Sequence, residues 1–548
     1  MTDSARPRMV WLALVVGLLW SDRVVSAPAR EIGPPPSVAP ASIVEAVRAA
    51  PAAEGPESGM AAEVRQLRVA VNVAWILIAA FLAMAIKAGF ALMETGLIRA
   101  KNVAHTMAMN LSIFAVAVLG FWAVGFALMF GGHGPMGTVG AADAPDSMGS
   151  VDLFGRSWDL IGLGGFFLAG PAAQASVLTI FLFQAVLVDA SATIPTGAMA
   201  ERWKLSALFG FGLVASTLIY PVYGCWSWGG GWLADLGAKF DLGSGQVDFA
   251  GSGVVHMTGG VMALAGALAL GPRIGKFGPG GASNAIPGHN IPMAVLGTLV
   301  LMFGWFGLTA GRALDATDLR VGSIAVCTLL ASAAGCLSSL LTMWGAFGKP
   351  DPTMGCNGLL AGAVAISAPC AFVNPVGAVA IGAISGILVV GAILFVEKVM
   401  RVDDPVGAIS VHGVCGAFGC LSVGLFATGE YGRGINGVAD APIGLLHGGG
   451  TGQLLAQLIG VLANLLWVFP TSLLTFAIIG RSIGNRVAAR VEVEGLDVPE
   501  LGVLGYVAEE TYAVQTAGQD YLATFGPGVP PKGSSRPPRG GGRKGGPG

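Results

Sequence analysis

Charge is scarce in this sequence. Lys, Arg, Asp and Glu make up 11% of its 548 residues, against about 25% in ordinary globular chains. That excludes a string of soluble domains, each of which needs a charged surface. The net charge of −2 points to no particular partner, and no basic region is long enough to imply nucleic acid. Cysteine is sparse too. Cys225, Cys327, Cys336, Cys356, Cys370, Cys415 and Cys420 form no CxxC pair and no Cys/His metal spacing. Six lie in apolar stretches and read as buried structural thiols, while Cys225, near an outer helix end, stays open. An enzyme would need a nucleophile–base set or a metal motif such as HExxH, and neither stands here. Cys415 lies one helical turn from His412, but with no oxyanion site or third group beside it. The sequence calls for no cofactor and no metal.

What is abundant is apolar residue and glycine. The chain is 54% hydrophobic with 85 glycines, and its mean hydropathy is +0.71. Glycine is favoured where membrane helices approach closely, so this is an all-α polytopic membrane protein, with the lipid bilayer as its solvent. Runs long enough to span fall near 68–93, 106–131, 173–198, 205–225, 250–271 and 291–311. Others fall near 321–346, 355–373, 376–397, 405–427 and 452–480, making about eleven spans.

The N-terminus has Arg6 and Arg8, then "VWLALVVGLLW", then "VVSAPA". That pattern predicts a signal peptide over 1–29, followed by a Pro/Ala-rich linker over 30–65 and a membrane domain over 66–487. Lys and Arg concentrate on alternate connections: Arg99/Lys101, Arg202/Lys204, Arg273/Lys276, Lys349, Lys398/Arg401 and Arg481/Arg486/Arg490. The positive-inside rule then places the mature N-terminus outside and the C-terminus in the cytoplasm, in agreement with a translocated N-terminus. Residues 488–525 form a charged cytoplasmic segment, and 526–548 a basic, low-complexity tail of disordered composition.

An internal repeat locates a site. Asp248 precedes His256 by eight residues in "DFAGSGVVH", and Asp404 precedes His412 by eight in "DPVGAISVH". By the topology above, one segment enters from outside and the other from inside. Such five-plus-five inverted repeats place a substrate site near the midplane. A lone histidine on an apolar face is usually a satisfied core residue, but a symmetry-related pair points to His256 and His412 lining a pore.

Several ordered motifs then resemble the ammonium transporter family (Amt/Mep/Rh). They are "GFALMETGLIRAKNVAHTMAMN" at 89–110, "IPTGAMAERWKLSA" at 194–207, "VDFAGSGVVHMTGG" at 247–260 and "GPRIGKFG" at 271–278. "GWFGLTAG" at 304–311, "RVDDPVGAISVHGVCGAFGC" at 401–420 and "GNRVAARVEVEGLDVPELGVLGY" at 484–506 complete the set. The resemblance implies a homotrimer of eleven-helix protomers in the plasma membrane, each with its own pore for nitrogen uptake. It implies that Trp228 is a cation–π platform for ammonium in an outer vestibule, with Asp248 beneath it. It further implies that His256 and His412 share a proton while ammonia passes, and that a trimeric PII-type regulatory protein meets the cytoplasmic face.

The chain departs from the family pattern at the pore entrance. Two phenylalanines usually close the outer gate; here Leu187 and Leu308 stand at those positions, while Phe183, Trp305 and Phe306 remain. Leucine excludes water but offers a cation no π face. Arg312 replaces a small hydroxyl at the recruitment site. It either turns outward to pair with Asp315 or Asp318, or faces Trp228 and occupies the cation site itself. Lys87, inside the first span, is either a tethered mimic of ammonium or half of a packing pair with Asp189. Pro499 and Leu501 depart from the usual wording of the C-terminal segment. A relative that binds and senses ammonium with little or no transport is therefore the alternative to a transporter.

Overall fold

The computed structural model describes residues 59–132, 139–141, 144–435, 438 and 440–506. The expected signal peptide, most of the linker and the basic tail lie outside the described residues. Ten helices among those described are long and apolar enough to cross a membrane. We number them with one shorter neighbour: α1 (Gly59–Leu97), α2 (Ala100–Phe130), α3 (Ala175–Ala198), α4 (Leu205–Trp228), α5 (Ser252–Leu270), α6 (Ile291–Gly311), α7 (Arg320–Phe347), α9 (Pro375–Lys398), α10 (Ile409–Phe426) and α11 (Thr451–Ser482). The neighbour is α8, Pro352–Ser367, of 16 residues.

The expected span over 355–373 is therefore helical only in its first part. Pro369 has no N–H to continue the ladder, and the last carbonyls before it take another partner. Ala250 donates its N–H to the Ser367 carbonyl at 2.9 Å, and Phe249 donates to that of Ala368 at 3.2 Å. The start of α1 also departs from expectation. Residues 59–65, read as linker, are helical, because "GMAAEVR" is built mainly of strong helix formers that extend the apolar run.

The glycines allow the close helix packing that their abundance predicts. A side chain at Gly260 would put its Cβ 2.1 Å from the Gly413 backbone nitrogen, so α5 and α10 touch backbone to backbone. On the face that carries Trp228, a two-stranded antiparallel hairpin, β1 (Met148–Leu153) and β2 (Arg156–Gly162), packs against α4. At the other end of α4, Arg273 bonds both Glu201 and Asp403 at 2.9 Å. Two short helices, α12 (Ala489–Glu494) and α13 (Asp497–Leu501), dock there. Burial raises the Asp403 pKa, but the bonded Arg273 guanidinium outweighs it and holds the carboxyl below the usual range. Burial also pulls Arg202 down to about 10.

Candidate functional site

Each repeat unit builds the same local device. Asp248 accepts hydrogen bonds from the backbone N–H groups of Gly251 (2.9 Å), Gly253 (2.9 Å) and Val254 (2.8 Å). Asp404 does the same for Gly407 (3.1 Å), Ala408 (3.0 Å) and Ile409 (2.7 Å). A helix start has unpaired N–H donors and a positive dipole end, so each carboxylate satisfies and anchors one. Gly251 and Gly407 turn the chain at φ +99° and +82°, a conformation that side chains other than glycine resist. Both helices then open as a six-residue π-turn, Ser252–Met257 and Ile409–Val414. His256 and His412 stand on those turns.

The two histidines meet inside the bundle, both buried. Their Nδ1 atoms are 3.3 Å apart, with ring centroids at 5.3 Å. The His256 ring stacks on Trp305 at 4.7 Å and 14°, and Trp305 is fixed by its own bond to Ser367 Oγ at 3.1 Å. Phe90 lies 5.8 Å from the His412 ring. Most of the surrounding wall is apolar, with Glu94 and Asn357 the polar residues that line a small cavity beside His412.

Beyond this contact, on the Asp248 side, lies a broad cavity of about 1400 Å³ whose lining includes Trp228, Asp248, Arg312, Phe249 and Phe372. Trp228 Nε1 donates to the Asp248 backbone carbonyl, which fixes the indole. Arg312 is buried, with its guanidinium carbon 4.5 Å from the centre of the Trp228 ring. Of the two placements expected for Arg312, the outward one is therefore not adopted. Asp315 instead pairs with Arg68, and Asp318 with Arg320. Asp248 lies within electrostatic reach of the guanidinium.

Lys87 and Asp189 form an ion pair at 2.9 Å. Lys87 also donates to Thr193 Oγ1, so the packing-pair alternative describes its contacts. Phe183, Leu187, Trp305 and Leu308 are fully buried, whereas Phe306 is only partly so. Adjacent helical residues point about 100° apart, so Phe306 and Trp305 do not share one helix face. Cys415 Sγ lies 3.9 Å from the Ser385 carbonyl oxygen.

Residues 74–506 match the Ammonium Transporter Family. The chain belongs to that family. It is 44% identical over 441 residues to ammonium transporter Amt2 of Archaeoglobus fulgidus, covering 80% of this chain and 88% of that protein. It is 36% identical to ammonium transporter Amt1 of Haloferax mediterranei, over 80% and 79% of the two chains. Among solved structures, one described as a sensor Amt protein aligns with TM-score 0.68 and 34% identity, covering 80% of this chain and 99% of that one. Mep2 of Candida albicans aligns with TM-score 0.62 and 25% identity, over 84% and 92%. This ammonium transporter family member is thus a multi-pass membrane protein.

Sequence reasoning passed over a polar seam in it. Glu94 accepts bonds from Asn110 Nδ2 at 2.8 Å and from Thr196 Oγ1 at 2.8 and 3.0 Å. The signal was available: Lys87 and Glu94 are seven apart on α1, as Asp189 and Thr196 are on α3, which puts each pair on one helix face.

Proposed function

We propose that this chain conducts ammonium as ammonia, with the proton handled by His256 and His412. The two ring nitrogens 3.3 Å apart carry this reading. Ammonium would enter the outer vestibule, meet Trp228 and Asp248, and lose a proton before the apolar neck. A bare cation at the bilayer centre costs at least ~2.5–3.5 kcal/mol, and shedding the proton avoids that cost. Imidazole, with an unperturbed pKa near ~6.5, accepts and returns a proton readily. Sodium and potassium have none to lose. Leu187 and Leu308, with Phe183 and Trp305, would form the water-excluding gate. The protomer would sit N-out/C-in within a homotrimer in the plasma membrane, with a PII-type protein as its cytoplasmic partner. The membrane domain would span 66–487, behind the signal peptide and linker.

Arg312 favours a second reading, a sensor or regulatory relative. Its guanidinium lies where cation–π recruitment would hold ammonium. Ammonium-driven current in proteoliposomes separates the two. The transporter reading expects wild-type current, raised about tenfold in Arg312→Ser if one cation–π competitor is removed. It also expects His256→Asp to admit potassium, because a carboxylate binds an intact cation. A silent wild type that stays silent in Arg312→Ser would favour the sensor, and a His256→Asp variant still closed to potassium would count against the histidine relay.

A further inference from the structure

Glu94 is a buried carboxylate that the pathway above does not use. Besides its bonds to Asn110 and Thr196, it lines a small cavity with His412, Asn357, Phe90 and Val406. The cavity measures about 10 Å³, near the smallest space that holds one water. A water there needs two to four polar partners. Three residues of this lining carry polar groups: Glu94, His412 and Asn357, whose Oδ1 has no hydrogen-bond partner among the described residues. His412 engages His256 through Nδ1, so Nε2 is its remaining proton-bearing nitrogen. Lys87 is the cation whose field reaches Glu94, and it is tied to Asp189 on α3.

We propose that Glu94 takes the substrate-derived proton from His412 through one water in this cavity, so that proton and ammonia separate on the inner side of the histidine pair. The inference rests on the transport reading above. The N–H bond of ammonium breaks at the histidines. The His412 imidazolium then gives its Nε2 proton to the water, which passes one of its own protons to a Glu94 oxygen. The ring returns neutral and the carboxylate becomes a carboxylic acid. No electrons are transferred and no co-reactant is consumed. Glu94 stands one turn before the end of α1 at Leu97, the end proposed to face the cytoplasm, toward which the proton would be released.

The test uses the full chain in proteoliposomes, with ammonium-driven current and ammonia flux (internal pH rise under an ammonia gradient) measured separately. Removing a positioned proton acceptor costs about a hundredfold. Glu94→Gln should lose current on that scale while ammonia flux stays near wild type, and Glu94→Asp should recover part of the current. Infrared difference spectra should show a carboxyl C=O band on proton loading that is absent in Glu94→Gln and displaced in His412→Gln. Unchanged current in Glu94→Gln, or joint loss of current and flux, overturns the proposal. Should the wild type carry neither, the transport reading fails and the infrared arm decides the proton link alone. A Glu94 band indifferent to His412 would then overturn it, and a displaced band would support it.

Discussion

Lys87 brings an ammonium group of its own into the bundle, and Asp189 holds it at 2.9 Å with side-chain exposures of 16% and 4%. Desolvating two charges costs several kcal/mol each, and their attraction offsets this only while both remain. Asp189→Ala should therefore destabilise the protein by about 3–5 kcal/mol, whereas the apolar pair Lys87→Met/Asp189→Leu should restore most of it. Thermal unfolding in detergent reads the difference; a double variant no better than the single one would show that the pair is not an energetic unit. Charges inside apolar runs stand out in a sequence, which is why Lys87, Asp189, Asp248 and both histidines were legible there. The direction of Arg312 was not. Asp315 and Asp318 lie close by in the chain, but Arg68, 247 residues away, takes the first and Arg320 the second. Long-range packing decides the first pairing, and a partner two residues along the chain decides the second. Glu94 escaped notice for a similar reason, since its partners Asn110 and Thr196 arrive from two other helices.

At the level of the element, the repeat unit is a carboxylate that caps a π-turn bearing a histidine. The eight-residue Asp-to-His spacing announced it, but the π geometry did not show, because in a run that is apolar nearly all round a one-residue shift of register leaves no visible change of phase. The cap has a measurable charge signature. Burial raises the Asp404 pKa to about 6, against three N–H donors that pull it down. A carboxyl raised above its unfolded value, ~3.9, binds more protons when folded. Its contribution is thus fullest below about pH 4 and is lost as pH rises through about 6. Asp404→Asn, which keeps an acceptor and removes the titration, should flatten the fall in Tm between those values relative to wild type. Asp404→Ala should lose a further ~0.5–2 kcal/mol at all pH, the usual cost of an N-cap. Parallel Tm–pH curves for wild type and Asp404→Asn would show that this carboxyl does not titrate there.

Across the whole molecule, the C-terminal segment is fastened to the start of the second span, at the end proposed to face the cytoplasm. Asp497 accepts from the backbone N–H groups of His105 (2.9 Å) and Ala104 (3.1 Å), donors at the start of a helix that lack intrahelical partners. Lys101 donates to the carbonyls of Glu492 and Val493, and Leu496 donates to Asn102 Oδ1 at 2.9 Å. Glu492 binds Arg486 at 2.7 Å and the Ile274 N–H at 2.7 Å. Sequence charge marked this segment as a surface element but not what it grips, because half of these partners are backbone N–H groups, which any sequence supplies. Such a clamp opens locally at far lower cost than the bundle unfolds. Asp497→Ala should thus leave Tm nearly unchanged, since one lost cap amounts to about 1 kcal/mol, but should expose the segment. Arg490, already solvent-facing, is the place to read it: trypsin should cleave there several-fold faster in Asp497→Ala, with Asp497→Asn between it and wild type. Equal cleavage rates in all three proteins would mean that Asp497 does not hold the clamp, and that Lys101 and Glu492 fasten it without help.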